Sequence, residues 1–595
     1  MFLLTDGRVL VNEVDATGFG TKHWWTLSPN SAGSYINGTW RQVADSIDDR
    51  LYFGSGVFAD GRVIVSGGEY STSGSETNHS EIYDPVGNFW TSVPPPAGWA
   101  NIGDAPSVIL SDGRFFVGSI FTNQTAIYDP TLGSWSAGPN KLNTRSSEET
   151  WTLLPDNTVL TWDCFGHPAS QKYAPTIGSW VTCGNTPVGS DLVLSNSFET
   201  GAGILLPNGS VFCMGGPPVS ALYTPPPNPL LPGTWTAGPV PPLVGGQTVG
   251  QEDGPSAILP NGNVLVSLGP VVPGGGTYGG PSYMFEYDGV NLVRATDPPP
   301  PTPIRANYFA RMLVLPTGEI LFDNSETNLY VYTNLPPPNA AYKPTVLSYP
   351  TYVEKGLPYG VKGYQFNGVS NGSSYGDEVN NATNYPLVRL NEILTRPVYY
   401  CRTFGHSTMG VQTGTNSVST NFVVPRTVPA GKKQLHVVAN GVPSDPVSVY
   451  VLDTSGVLSF GVDQGTLVSG TVSDLKASDN SYVIVNSGHG IAQLTLKGFV
   501  PTTYVIGTLG VDFEGGVNTS GVTQTLEFYN WVTNTYETID TRAATLFDLN
   551  LNLFGSSPVS RFIDPSSREV VARVTYLAGF NFQARIDRFV WLTGP

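Results

Sequence analysis

Apolar runs of a few residues recur along the first 330 positions, each split by a short polar turn. One such phrase returns seven times. It reads LLTDGRVLV at 3–11, VFADGRVIVSGG at 57–68, VILSDGRFFVGS at 108–119 and TLLPDNTVLTWD at 152–163. It then reads ILLPNGSVFCMGG at 204–216, AILPNGNVLVSLG at 257–269 and LVLPTGEILFDN at 313–324. The turn residues are Asp6, Asp60, Asp112, Asp156, Asn208, Asn261 and Thr317, spaced 44 to 56 residues apart. Asp-Gly or Asn-Gly between apolar runs signals a β-hairpin, and the expected tight form puts both central residues at positive φ.

A second phrase follows the hairpin in several repeats. IYDPVGNFW at 82–90, IYDPTLGSW at 127–135 and KYAPTIGSW at 172–180 place Trp seven residues after Tyr, and a looser form runs from Tyr223 to Trp235. Asp-Pro marks the turn between a third and a fourth strand. Four strands in each repeat of about 50 residues is the pattern of a kelch-type propeller. The sequence thus predicts an all-β chain whose residues 1–340 form a seven-bladed β-propeller. The last repeat lacks a Trp strand after NLYVYT at 328–333. A strand from one terminus, or residues before Met1, is expected to close the ring. The Pro-rich NLPPPNAAYKP at 334–344 leads out of it. Residues 343–452 are expected as an immunoglobulin-like sandwich and 455–595 as a jelly-roll-like β-sandwich.

Composition narrows the function. Among 595 residues there are 68 Gly and 50 Pro, yet 11% are aromatic, so the chain is turn-rich but folded. Only 13% are charged, with a net charge of −17, which disfavours nucleic acid as a partner. No run of 18 apolar residues suggests a membrane span, and the opening MFLLTDGRVLV shows no signal peptide. Four cysteines make no disulfide framework, although Cys164 and Cys183 bracket one repeat and could pair, while Cys213 and Cys401 look isolated. Sequons at Asn37, Asn78, Asn123, Asn208, Asn371, Asn381 and Asn518 fit an extracellular or cell-surface glycoprotein.

The repeat phrase and the domain order resemble the galactose oxidase and glyoxal oxidase superfamily, over roughly residues 1–452. Its members join a seven-bladed kelch propeller to an early-set immunoglobulin-like domain. The stretches GYQFNGVSNGSSYGDEVNNATNYPLVRL at 363–390 and YYCRTFGHSTMGVQTG at 399–414 resemble more closely a group of uncharacterised secreted bacterial kelch proteins. The oxidases hold copper through two tyrosines, one crosslinked to a cysteine, and two histidines. Carried over by counting from the turns, the crosslinking Cys falls on Gly54 and the crosslinked Tyr on Asp104. The Tyr-His pair falls on Tyr308-Phe309, and His406 approximates the early-set histidine. Gly and Phe offer no donor, so copper and copper-radical oxidation are not expected.

Carboxylates stand at the starts of the inner strands instead. Asp104, Glu148, Thr200 and Asp253 lie eight residues before their turns, with Glu149, Glu199 and Glu252 alongside. Arg50, Arg145, Arg305 and Arg311 occupy comparable places. Three readings stay open. The acids and arginines could tie the blades together. Asp104, Glu148 and Asp253, with Tyr308 or His406, could hold a cation, and calcium suits clustered oxygens. Two of Glu148, Glu199 and Asp253, assisted by Tyr308, could act as acid and base on a glycosidic bond, with arginines holding an acidic sugar. No metal spacing appears among the other histidines, and SDLKASDNSY at 473–482 could be a calcium loop. Trp24, Trp25 and Trp99 lie outside the repeat phrase and could stack on sugars, whereas Trp90, Trp135 and Trp180 are core by pattern.

The leading expectation is an extracellular binding or structural protein. It would recognise carbohydrate or another surface component through Asp104, Glu148, Glu149, Glu199, Glu252, Asp253, Arg50, Arg145 and Arg311, or assemble with itself on a surface. A polysaccharide hydrolase or lyase using the same carboxylates is the alternative.

Overall fold

A computed structural model describes every residue except 17, 73, 273–278, 300–304, 376–383, 393–396 and 502–503. The sequon at Asn381 lies outside the described residues. Every extended element is a β-strand, interrupted only by short 3-10 turns. No helix among the described residues is long and apolar enough to cross a membrane. The chain forms two compact units. The first comprises 1–350, 358–423 and 434–447, the second 351–357, 424–433 and 448–595. Residues 343–452, expected as one module, thus divide between the two.

In the first unit, seven consecutive antiparallel sheets follow the seven phrases. Sheet one takes Phe2–Leu3, Val9–Val14, Gly20–Ser28 and Thr39–Gln42, and sheet seven takes Arg311–Val314, Ile320–Asp323 and Tyr330–Tyr332. Sheet two touches sheet three through their first strands, as do four and five, five and six, six and seven, and seven and one. Sheet seven has three strands, so the expected closing strand is absent among the described residues. A cavity of about 540 Å³ runs along its outer strand, lined by Tyr330, Tyr332, Met284 and Trp40.

The hairpin repeats its geometry seven times, but not in the expected form. Gly7 N–H donates to Leu4 and Leu4 N–H to Arg8, and the same two bonds recur from Phe58, Leu110, Leu154, Leu206, Leu259 and Leu315. Only the last loop residue is left-handed, with φ 79° at Gly7, 91° at Gly61 and 67° at Asn157. This is a three-residue loop, a type I turn closed by a left-handed residue, so the Asp keeps an ordinary negative φ. Its carboxylate is then free to bind locally: Asp6 accepts from Arg8 N at 3.2 Å and Nε at 2.8 Å. Arg8 and Arg62 then reach the Asp-Pro turns of the following sheets, donating to the carbonyls of Pro85 at 3.4 Å and Pro130 at 3.1 Å.

The Tyr and Trp of the second phrase are direct cross-strand partners: Tyr83 with Trp90, Tyr128 with Trp135, Tyr173 with Trp180 and Tyr223 with Trp235. Each indole also donates to an earlier repeat, Trp90 to Ala44, Trp135 to Pro94 and Trp180 to Pro139. The repeated tryptophans therefore join neighbouring repeats as well as filling their cores. Trp24, weighed above as a sugar platform, is fully buried against Phe2, Phe53 and Trp90. Trp25 is half-buried and donates to Glu13, and Trp99 is also half-buried.

Later residues of the same unit add a sheet ordered Thr345–Ser348, Pro358–Tyr364, Val418–Val423, Val398–Phe404, Leu387–Asn391 and then residues 434–438. From it the short strand Ser373–Tyr375 inserts against the inner edge of sheet six, pairing with Pro255–Ile258. Asn371 accepts from Leu205 N–H, and the Ser374 hydroxyl meets Thr150 at 3.1 Å. Asn371 is thus buried, which closes that sequon to a glycan. The disulfide open to Cys164 and Cys183 is not made: all four cysteines are buried thiols. Cys164 donates to the Glu148 carbonyl at 2.8 Å, and Cys183 accepts from Tyr223 at 3.4 Å.

The second unit is a two-sheet assembly around its own core of Leu494, Leu496, Phe513, Val574, Phe589 and Trp591. One sheet runs Ser459–Gln464, Ile491–Phe499, Glu569–Leu577, Thr523–Asn530, Thr535–Ala543. In the other, Gln583–Gly594 pairs along its length with Thr508–Val517, and on its far side with Val483–Asn486 and Val447–Gly456. In the stretch 473–482, Asp479 and Asn480 N–H donate to Asp587.

Candidate functional site

The chain enters each first strand eight residues before its hairpin turn. Tyr52, Glu148 and Asp253 stand at that register in sheets two, four and six, and all three are left-handed, with φ of 49°, 64° and 47°. A non-glycine residue pays about 1–3 kcal/mol for that conformation. Thr200 fills the same register in sheet five, where it is buried and accepts from the Trp162 indole at 2.8 Å.

Two groups of three carboxylates form here. One oxygen from each of Glu148, Glu199 and Asp253 lies within 4.8 Å of the others, and Glu69, Glu76 and Asp104 converge equally closely. Asp253 N–H is tied to the Thr200 carbonyl at 2.8 Å, and Ser147 donates to the Glu148 carboxylate at 2.9 Å. Burial and the Glu148 charge both push the Glu199 carboxyl well above the usual range. Burial first, then Glu69, raises Glu76 to about 7, with Glu148 adding to the effect. Glu69 is also raised, by burial and by Glu148. Glu148 therefore acts on members of both groups, and the six acids make one electrostatic field.

Aromatic side chains border it. Tyr70 and Phe19 are half exposed and meet edge to face at 5.8 Å, and Tyr52 lies 6.1 Å from Tyr70. The Tyr70 hydroxyl is raised by Glu69 first, and Asp104 and Tyr308 also act on it. Tyr308 sits in the turn Asn307–Phe309 against the Phe309 ring, its hydroxyl raised by burial and then by Glu252. Arg311 donates to the Tyr308 and Ala310 carbonyls and lies over the Tyr375 ring at 3.7 Å, while Tyr375 donates to the Tyr308 carbonyl at 2.7 Å.

Other residues marked from the sequence lie apart from this group. Glu149 is fully buried with Lys141. Arg50 is fully buried, contacting Glu81 and donating to the carbonyls of Gly67 and His79. Arg145 covers the Phe165 ring at 3.6 Å, which in turn stacks on Phe198 at 4.4 Å. His406 belongs to the opposite ends of the inner strands. Its loop bonds to the hairpin-turn residues Ala59 and Ser111, its ring stacks on Tyr385, and its Nδ1 meets Thr420 at 2.9 Å. Burial lowers that imidazole to about 3. The positions carried over from the copper-radical oxidases therefore do not bring their donors together here. Gly54 and Phe309 supply none, and His406 does not join Tyr308 and Asp104.

Sequence reasoning missed Glu69 and Glu76. They sit on a small hairpin, Glu69–Ser71 with Gly74–Glu76, inserted between the second and third strands of sheet two. The available signal was a connection about twice as long as that of sheet three. Gly103 makes room for them: it has φ 69°, and a side chain there would collide with the Glu76 carboxylate. Tyr375 was missed as well, because its strand comes from outside the repeats.

Chemically, the site offers many acceptors, a carboxyl that holds its proton up to about pH 7, and flat apolar faces. Within either group the oxygens lie closer than the ~6.5–9.5 Å that leaves room for an attacking water in inverting glycosidases.

No protein-family model matches the chain, and no curated protein does. Among solved structures, the chain is similar to one described as a novel fungal alcohol oxidase with catalytic diversity among the AA5 family, in complex with copper. The identity is 14% and the TM-score 0.43, over 76% of this chain and 96% of that one.

Proposed function

We propose that the seven sheets form a seven-bladed propeller of kelch type, and that its acidic mouth binds carbohydrate. The observation that carries this reading is the convergence of carboxylates beside half-exposed aromatic rings. Sugar hydroxyls donate to Glu148, Glu199, Asp253 and Asp104, the protonated Glu76 donates in return, and Tyr70 with Phe19 offers a face to a pyranose ring. The immunoglobulin-like and jelly-roll-like modules serve as spacer or docking parts of an extracellular or cell-surface protein. The acidic, weakly charged composition supports that placement. Retention on immobilised neutral and acidic polysaccharides tests the site. The wild type is retained, and Y70A and the double variant E148Q/D253N elute in the void. Equal retention of all three overturns the reading.

A second reading rests on the same convergence: six carboxylates in two triads offer the hard oxygen ligands that calcium takes. Calcium would then bridge the protein and vicinal sugar hydroxyls. Titration calorimetry with calcium alone decides it, heat in the wild type and none in E148Q/D253N being the expected result.

A further inference from the structure

Where sheets three and four meet lies a group of side chains that the acidic mouth does not use. Lys141, Glu149 and Asp163 have no solvent exposure. The Lys141 ammonium contacts the Glu149 carboxylate and lies 3.0 Å from Asp163 Oδ1. Asp163 is held from both sides, receiving Gln171 Nε2 on Oδ1 at 2.7 Å and Asn143 Nδ2 on Oδ2 at 2.6 Å. The second oxygen of Glu149 receives the Thr161 hydroxyl at 3.0 Å and the Trp151 indole at 3.3 Å. Two carboxylates thus face one ammonium in a fully buried site, where burying ions is costly even when they are paired.

We propose that Lys141 and Asp163 condense into an intramolecular amide cross-link, with Glu149 carrying the protons. Glu149 takes a proton from the ammonium and passes it to Asp163. The amine that results attacks Cγ of the neutral carboxyl, and the C–N bond forms. The Gln171 and Asn143 amides hold the tetrahedral oxyanion, as donors fixed in advance of the reaction. Glu149 then moves the second nitrogen proton to the departing hydroxyl, and the C–O bond breaks. The ammonium has lost two protons and the carboxylate one oxygen, which leave as one water. No electrons change hands and no co-reactant is required.

Three features favour the step. The Lys141 nitrogen is already held 3.0 Å from an oxygen of the carboxyl it would attack, which lowers the entropic cost of meeting. Burial raises the Glu149 carboxyl to about 8, so near neutral pH it can both take and give a proton. The product also finds its partners in place. Its N–H faces the Arg145 carbonyl, now 3.2 Å from Nζ, and its oxygen keeps the Gln171 or Asn143 donor. Two buried charges become one satisfied amide.

Intact mass of the purified, denatured full chain tests the proposal, followed by tryptic mapping. The expected result is a mass one water below the sequence mass, no cleavage after Lys141, and a branched peptide joining Lys141 to Asp163. A full sequence mass with normal cleavage, or a branch from Lys141 to Glu149, overturns it. The variant E149Q keeps the shape and the Thr161 contact. It is expected to show a wild-type circular dichroism spectrum and the uncondensed mass, and a condensed E149Q would overturn the role given to Glu149.

Discussion

Two groups of acids, a partly buried one in the first compact unit and a buried one in the second, show opposite solutions to the same problem. In the C-terminal unit Glu354 and Asp512 share Arg588, which lies 2.9 Å from Glu354, contacts Asp512, and donates to the Lys476 carbonyl at 2.7 Å. Burial and the Asp512 charge still raise Glu354 to about 7, but Arg588 pulls against them. At the mouth of the repeated sheets, Glu76 is raised as far by burial, Glu69 and Glu148, all acting in one direction. An arginine-closed group is a fastener. In the other group the acids raise one another, and on the reading proposed above that is where a ligand bringing positive charge or hydrogen-bond donors would bind.

The largest test of that contrast is Arg588→Met. It strands two buried carboxylates and should cost about 3–5 kcal/mol in urea unfolding of the C-terminal unit. Glu199→Gln should not destabilise the ligand-free protein, because burial and the Glu148 charge already favour the uncharged Glu199 carboxyl, which glutamine matches in shape. A loss similar to that of Arg588→Met would make the mouth a fastener too.

Next comes pH. A carboxyl whose folded pKa is raised binds its proton more tightly in the native state, so stability is fully present below the unfolded value and falls as pH rises. For Glu76 that window runs from 4.5 to about 7. The wild type should therefore lose melting temperature across it, and Glu76→Gln should flatten part of the slope. Glu354 contributes with the same sign, so Glu354→Gln should flatten another part. A melting temperature that rises over this range would contradict the assignment at both places.

A third test adds calcium. At a hundredfold excess over its dissociation constant, a ligand stabilises the native state by about 2.7 kcal/mol. The wild type should gain melting temperature with calcium, and Asp253→Asn should not. The smallest effect expected is from Gly103→Ala, about 1–2 kcal/mol for the left-handed backbone, together with displacement of Glu76. Its signature is loss of the Glu76 part of the pH slope.

Much of this molecule can be read along the chain because its repeats are local. The Tyr-to-Trp interval of seven became a cross-strand pair in Tyr83–Trp90, Tyr128–Trp135 and Tyr173–Trp180. Offsets from the turn placed Asp104, Glu148 and Asp253 among the converging acids. What local periodicity does not carry was missed. The hairpin loop is one residue longer than expected, a difference set by the φ of Asp6 rather than by its identity. Glu69 and Glu76 sit on an insertion without a fixed offset. Ser373–Tyr375 reaches sheet six from more than a hundred residues away. Pattern also could not separate Trp24, a buried core ring, from Trp25, whose indole reaches Glu13. Nor could spacing tell that Glu149 turns inward to Lys141 while Glu148, its neighbour, joins the mouth.

The arginine of the hairpin turn has a consequence for how the repeats come apart. Arg8 and Arg62 each clasp the sheet that follows, whereas the same position is Thr158, Ser210, Asn263 and Glu319 in sheets four to seven. The repeats are thus alike in shape and unlike in grip. Their amide protons should exchange with solvent earliest across the later junctions, giving a nominally symmetric array a built-in seam where it opens first.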